Sequence, residues 1–278
     1  MFKTEALSAD LQKKLTRLEE VLGALGSVAV GFSGGVDSTF LLSAAVRTLG
    51  DRVLAVTAVN PLIPERELRE ARAFCEANGI RQMFCKTEPL KIEACRRNAP
   101  DRCYHCKRQI FSEILRLAAA NGFAYVAEGS NLDDLGDYRP GLRAIRELSV
   151  RSPLREAGLT KKEIRELSKA LGLGTWNKPS CACLASRFAY GEEISEEKLE
   201  RIGQAEEILI RLGFRAERVR LHGSLARIEV PAEDIPLLAA GPTRRAVHEA
   251  FRKLGFQFVT LDLGGFCSGS MNATLPGN

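Results

Sequence analysis

Two groups of residues carry chemistry by type and spacing. The first is Ser33-Gly34-Gly35-Val36-Asp37-Ser38, which follows an apolar run over 27–32 that reads as a buried strand and opens an apolar helix reaching about Leu49. Two glycines let backbone N–H groups approach anionic oxygens closely, and the N-terminus of the following helix adds a favourable dipole. Ser33 and Ser38 bring hydroxyl donors, and Asp37 can help hold Mg2+ on the phosphates. The hexapeptide reads as a phosphate cradle, without the lysine that follows the glycines in a Walker loop. The second group is the eight cysteines, at 75, 85, 95, 103, 106, 181, 183 and 267. In a reducing compartment they are not structural disulfides. Cys75, Cys85, Cys95 and Cys267 stand singly and read as packing residues or bystanders, whereas Cys103-x-x-Cys106 and Cys181-x-Cys183 are clustered.

Three further stretches are rich in groups for a nucleotide. Residues 129–141 offer Asn131, Asp133, Asp134, Asp137 and Arg139 just after a short strand, where ligands sit beyond the carboxyl ends of an open sheet. Residues 176–187 place Cys181 and Cys183 between Lys178 and Arg187, whose charges favour thiolates. Arg218 and Arg220 alternate along a strand pattern and so share a face, a natural phosphate clamp, with an exposed charged strand as the plainer reading.

These residues need a scaffold. The leucines at 11, 15, 18, 22 and 25 have helical spacing behind Ser8 as a cap, and Gly26 ends that helix. Strand patterns at 53–59, 81–86 and 125–128 alternate with helical ones from Pro64 and from about Lys107 to Asn121, which predicts an α/β fold with an open parallel sheet covered on both faces. Thr160-Lys161-Lys162-Glu163 is a capping box opening a helix to Leu171. A length of 278 residues, at roughly 100–200 per domain, predicts two domains. We place them at 1–174 and 195–278, the second a smaller α+β domain, with a cysteine-bearing loop at 175–194 between them.

Composition narrows the classes. With 45% hydrophobic and 27% charged residues the chain is an ordinary folded one. No apolar run approaches the ~20 residues of a membrane span, and Met1-Phe2-Lys3-Thr4-Glu5 has no signal pattern, so a cytoplasmic location and no membrane partner are expected. Forty basic against 35 acidic residues give +5, which suits phosphorylated substrates and does not by itself argue for nucleic acid.

Ser33–Ser38 resembles the SGGxDS signature of the PP-loop, or N-type ATP pyrophosphatase, superfamily, whose members adenylate a carbonyl or carboxyl oxygen with ATP and release pyrophosphate. Together with Gly136-Asp137-Tyr138-Arg139-Pro140-Gly141 and Lys178-Pro179-Ser180-Cys181-Ala182-Cys183-Leu184-Ala185-Ser186-Arg187, the chain resembles the LarE family of sulfur transferases over nearly its whole length. That resemblance implies ATP and Mg2+ at Ser33, Gly34, Gly35, Val36, Asp37, Ser38, Asn131 and Asp134. It implies a biscarboxylated pyridinium mononucleotide as substrate, whose two carboxylates become thiocarboxylates during synthesis of the nickel-pincer nucleotide cofactor. Ser186, Arg187, Glu206, Arg218 and Arg220 then correspond to the substrate and phosphate site, with Glu206 as a solvated surface charge the plainer reading. A homo-oligomer is expected, with sulfide or another sulfur donor as a partner.

In that family the sulfur comes from a sacrificed cysteine or from a [4Fe-4S] cluster on three cysteines, which leaves one iron open for a transferable sulfide. The expected ligands are Cys103, Cys106 and Cys183, with Cys181 the unresolved neighbour; all four thiols would also suit a structural zinc site. A tRNA-thiolating PP-loop enzyme is a second reading, and few aromatic residues and the small net charge argue against it. An ammonia-using amide synthetase and a non-catalytic nucleotide sensor complete the alternatives.

Overall fold

The computed structural model describes residues 7–136, 140–179 and 182–267. In chain order its helices and strands are α1 (Ala9–Leu25), β1 (Val28–Gly31), α2 (Val36–Leu49), β2 (Val53–Val59), α3 (Glu65–Ala77), β3 (Gln82–Lys86), α4 (Glu93–Arg96), α5 (Arg102–Ala120) and β4 (Val126–Ala127). There follow α6 (Gly141–Glu147), α7 (Pro153–Glu156), α8 (Lys161–Ala170), α9 (Glu196–Arg211), β5 (Arg218–His222), β6 (Leu225–Glu229), α10 (Ile235–Ala239), α11 (Gly241–Lys253) and β7 (Phe258–Leu261). The chain forms two compact units. One comprises Met1–Asn60, Glu65–Pro89 and Cys103–Cys181; the other comprises Pro61–Pro64, Leu90–Arg102 and Ala182–Asn278.

The first unit is α/β. Its four strands are all parallel in the order β3-β2-β1-β4, with Val28 opposite Val53 and Ala29 opposite Val126. The first three residues of β1 and the first six of β2 are buried, the near-continuous apolar run expected where helices cover both faces. Ser8 caps α1 by accepting from the Leu11 N–H at 3.2 Å, and the leucines at 11, 15, 18, 22 and 25 all enter the core. Each contributes roughly 1.5–3 kcal/mol by leaving water. The capping box forms: Thr160 Oγ1 accepts from the Glu163 N–H at 3.3 Å, and Glu163 accepts from the Thr160 N–H at 2.9 Å.

One helix departs from the sequence reading. α5 starts at Arg102, not near Lys107. Pro100-Asp101 directly precedes it, a start signal for the first turn, so Cys103 and Cys106 lie on a helix rather than in a loop.

In the second unit β5 and β6 pair antiparallel, Arg220 opposite Arg227, while β7 lies parallel to β6. Ser195 caps α9 by accepting from the Lys198 N–H at 3.3 Å. Leu199, Ile202, Ala205 and Leu209 form the buried stripe of that helix.

Candidate functional site

In the first unit the loop from β1 to α2 is organised by its own serines. Ser33 Oγ and Ser38 Oγ lie 3.0 Å apart, and Ser38 Oγ also bonds the Ser33 N–H at 3.3 Å and the Gly35 carbonyl at 3.2 Å. Gly34 has φ +71, where an L side chain is strained, and an added Cβ would meet Ala71 Cβ at 3.3 Å. Gly35 stands at the cap of α2, so the first-turn N–H groups of α2 have no side-chain cap.

The segment after β4 closes on this loop. A Cβ on Gly129 would lie 3.0 Å from the Ser38 backbone nitrogen, a tight contact that glycine avoids. Asn131 Nδ2 donates to Asp37 Oδ1 at 3.4 Å; Asn131 Oδ1 accepts from the Asp133 N–H at 3.0 Å, and Asp134 Oδ2 from the Asn131 N–H at 2.9 Å. The expected nucleotide residues 33–38, 131 and 134 therefore come together. Asp137, Tyr138 and Arg139 lie outside the described residues, as do Ser180 and Cys181.

Three groups here were not singled out for the nucleotide site from sequence. Lys161 forms an ion pair with Asp37 Oδ2, and its backbone N–H donates to Asp133 Oδ2 at 2.8 Å. Glu128 is 5% exposed and accepts from the Ser130 N–H at 3.1 Å, from Ser130 Oγ at 2.7 Å and from Ser152 Oγ at 2.7 Å, with Lys107 Nζ at 3.6 Å. Lys178 donates to the Gly34 carbonyl at 3.1 Å and to Glu67 and Glu70, each at 2.6 Å. Burial opposes the Lys178 charge, but the hydrogen bonds to Glu67 and Glu70 outweigh it and hold the ammonium pKa above its usual 10.5. The only sequence signal for Lys161 was the capping box it belongs to; Lys178 drew notice only as a neighbour of the cysteines.

In the second unit Ser186, Arg187, Glu206, Arg218 and Arg220 also gather, largely inside the unit. Arg187 is 1% exposed; its Nε donates to Glu206 at 2.7 Å and its Nη2 at 3.0 Å. Glu206 further accepts from the Val219 N–H at 3.0 Å, so it is no solvated surface charge. Arg220 pairs with Glu229 at 3.1 and 2.8 Å and donates to the Ser186 carbonyl at 2.7 Å. Arg218 donates to the Glu217 carbonyl at 2.6 Å and stacks on Phe266. The plainer reading of β5 as an exposed charged strand fails on these contacts.

Cys103 and Cys106 sit three apart on the first turns of α5 in the first unit, on neighbouring helix positions, and Cys183 belongs to the second. Among the described residues no group of three or more Cys, His, Asp or Glu side chains is placed to hold a metal ion. Cys75, Cys85 and Cys95 are buried, and burial pushes the Cys75 thiol up to about 12 and that of Cys85 to about 11. Cys267 is exposed. No helix among the described residues is long and apolar enough to cross a membrane.

Residues 8–111 match the family model described as NAD synthase. The chain is 40% identical to the pyridinium-3,5-bisthiocarboxylic acid mononucleotide synthase of Lactiplantibacillus plantarum, over 96% of each protein. It is 42% identical to an uncharacterized protein of Synechocystis sp., over 95% of this chain and 99% of that one. Identity to an uncharacterized protein of Methanocaldococcus jannaschii is 30%, over 85% and 89%.

Proposed function

The chain belongs to the family of the Lactiplantibacillus plantarum pyridinium-3,5-bisthiocarboxylic acid mononucleotide synthase, and from that premise we propose that it is a cytoplasmic ATP-dependent sulfur transferase acting on the carboxylates of a pyridinium mononucleotide. What supports this reading is the complete Ser33–Ser38 cradle with Asp37 at its edge, in a chain collinear with that synthase over 96% of both lengths.

A substrate carboxylate oxygen attacks the α-phosphorus of ATP and pyrophosphate leaves. Sulfur then attacks the acyl carbon and AMP departs. Adenylation is required because an oxide is a poor leaving group and AMP a good one. Backbone N–H groups of the loop and the hydroxyls of Ser33 and Ser38 bind phosphate oxygens. The Lys161 ammonium on Asp37 marks a cation position, which fits Mg2+ at that carboxylate. Mg2+ there would neutralise phosphate charge, releasing Lys161 toward the same phosphates. Lys178 holds the Gly34 carbonyl and with it the turn of the cradle. For the substrate nucleotide the reading keeps the cluster of Ser186, Arg187, Glu206, Arg218 and Arg220, its buried ion pairs serving as frame.

The sulfur carrier is a separate question. Cys103 and Cys106 share a helix face, but the described residues complete no three-ligand cradle beside them, so no step here runs through an iron–sulfur cluster. Anaerobic purification with iron and sulfide analysis decides: iron matched by labile sulfide supports a [4Fe-4S] centre on Cys103, Cys106 and Cys183. Metal-free protein losing one sulfur per turnover from a cysteine supports sacrifice instead.

The function itself is tested by mixing the protein with ATP, Mg2+ and the dicarboxylated pyridinium mononucleotide. Pyrophosphate release and, with a sulfur source, a product heavier by the exchange of oxygen for sulfur are expected. Amide formation with ammonia, or ATP binding with no pyrophosphate release, would overturn it.

A further inference from the structure

The 3-10 turn over Leu184–Arg187, which begins directly after Cys183, is gripped from inside the second unit by groups that present almost no surface to a ligand. Arg187 Nη1 donates to the Ala182 carbonyl at 3.1 Å and to Ser186 Oγ at 2.8 Å, while Ser186 Oγ in turn donates to the Cys183 carbonyl at 2.9 Å. The remaining edge of the guanidinium is spent on Glu206 in a two-point pair, and Glu206 is anchored to β5 through the Val219 N–H. From the other side Arg220, locked to Glu229, holds the Ser186 carbonyl. The Leu62 carbonyl accepts from the Leu184 N–H at 2.8 Å. Cys183 itself is half-buried.

From these contacts we infer that Arg187 and Glu206 are positioning residues for Cys183: a buried ion pair that fixes the backbone on either side of that thiol and so sets where its sulfur is presented. At 1% and 6% exposure the two side chains have almost no surface with which to touch a substrate, whereas three of the bonds around them end on the Ala182–Cys183–Ser186 backbone and hydroxyl. A bidentate guanidinium–carboxylate pair is directional, which a turn needs if its sulfur is to meet a reacting carbon within tenths of an ångström. Calling that sulfur part of the transfer rests on the proposed function; the brace itself does not.

The test compares wild type with Ser186→Ala, Arg187→Lys and the double variant Arg187→Met/Glu206→Met, which removes both charges together and leaves no unpaired buried ion. Native protein is alkylated with iodoacetamide under reducing conditions. Tandem mass spectrometry then separates Cys183 from Cys181 within their shared tryptic peptide, and thermal melts confirm folding. The expected result is a rise of about fivefold or more in the Cys183 rate, smallest for Ser186→Ala, with Cys103 and Cys106 as unchanged internal references. In turnover assays, thiocarboxylate formed per pyrophosphate released falls about tenfold, a ratio that weaker substrate binding alone would not move. Folded variants with lowered melting temperatures but a Cys183 rate within about twofold of wild type would overturn the inference, since a pair serving only stability moves the melt alone. If the alkylation rates shift but wild type forms no thiocarboxylate, the proposed function fails and the brace stands.

Discussion

At the residue scale the loop carboxylate is the informative group. Asp37 carries Lys161 on one oxygen and Asn131 on the other, so its charge is already matched before any nucleotide arrives. Asp37→Asn keeps the shape and removes the cation site, and ATP-dependent pyrophosphate release should fall about 10²–10³-fold with little change in melting temperature. Lys161→Met should also slow release. It should tighten Mg2+ binding in the absence of ATP, because the competing ammonium is gone, and isothermal titration with Mg2+ reads that sign directly. Lys178 provides a pH test. Its pKa is raised in the folded protein, so its stabilisation is fully present below the ordinary value of 10.5 and is lost only as pH climbs through the raised one. The melting difference between wild type and Lys178→Met should therefore stay constant between about pH 6 and 9; a difference that decays within that window contradicts the assignment. Asp37 could be picked out from sequence because it stands inside the contiguous Ser33–Ser38 hexapeptide. Lys161 could not, since it lies 124 residues away and its backbone role as the first residue of α8 gave a sufficient account of it.

At the element scale the site depends on how closely two chain segments meet. A methyl group on Gly129 would sit 3.0 Å from the Ser38 nitrogen, and because that neighbour is backbone, the loop itself has to shift by a few tenths of an ångström. Gly129→Ala should raise the KM for ATP about tenfold by displacing the start of α2, with a smaller effect on the melt. Initial-rate kinetics at varied ATP measure it; an unchanged KM would mean the loop absorbs the shift. The parallel sheet and the helices with strong apolar stripes, α1 and α9 above all, could be read from period and caps, because local pattern and burial agree there. The start of α5 could not, because a helical pattern read from about Lys107 passes over the Pro100-Asp101 start signal that precedes Arg102. The contacts of Arg218 and Arg220 escaped too: alternation along a strand tells which face a side chain takes, not whether that face looks outward.

At the scale of the whole molecule the charge distribution separates a mononucleotide enzyme from a tRNA-modifying one. The net charge of +5 is small, and several arginines pair with a carboxylate four residues away: Arg69 with Glu65, Arg97 with Glu93, Arg143 with Glu147, Arg201 with Glu197 and Arg211 with Glu207. Each such pair contributes only about 0.2–0.5 kcal/mol to its helix, and each sets a carboxylate beside a cation that a phosphate would otherwise meet. On α11, Arg244, Arg245, Arg252 and Lys253 are exposed and Glu249 is the one acidic residue of the helix. Four cations on one short helix neutralise too few phosphates for tight binding at physiological salt. Bulk tRNA should therefore show no gel shift at sub-micromolar protein in physiological salt, and any weak shift at low salt should vanish in Arg244→Glu/Arg245→Glu. Salt-sensitive binding that persists in that variant would place a nucleic-acid surface elsewhere and return the tRNA-thiolating reading to contention, while leaving the ATP cradle and its chemistry as described.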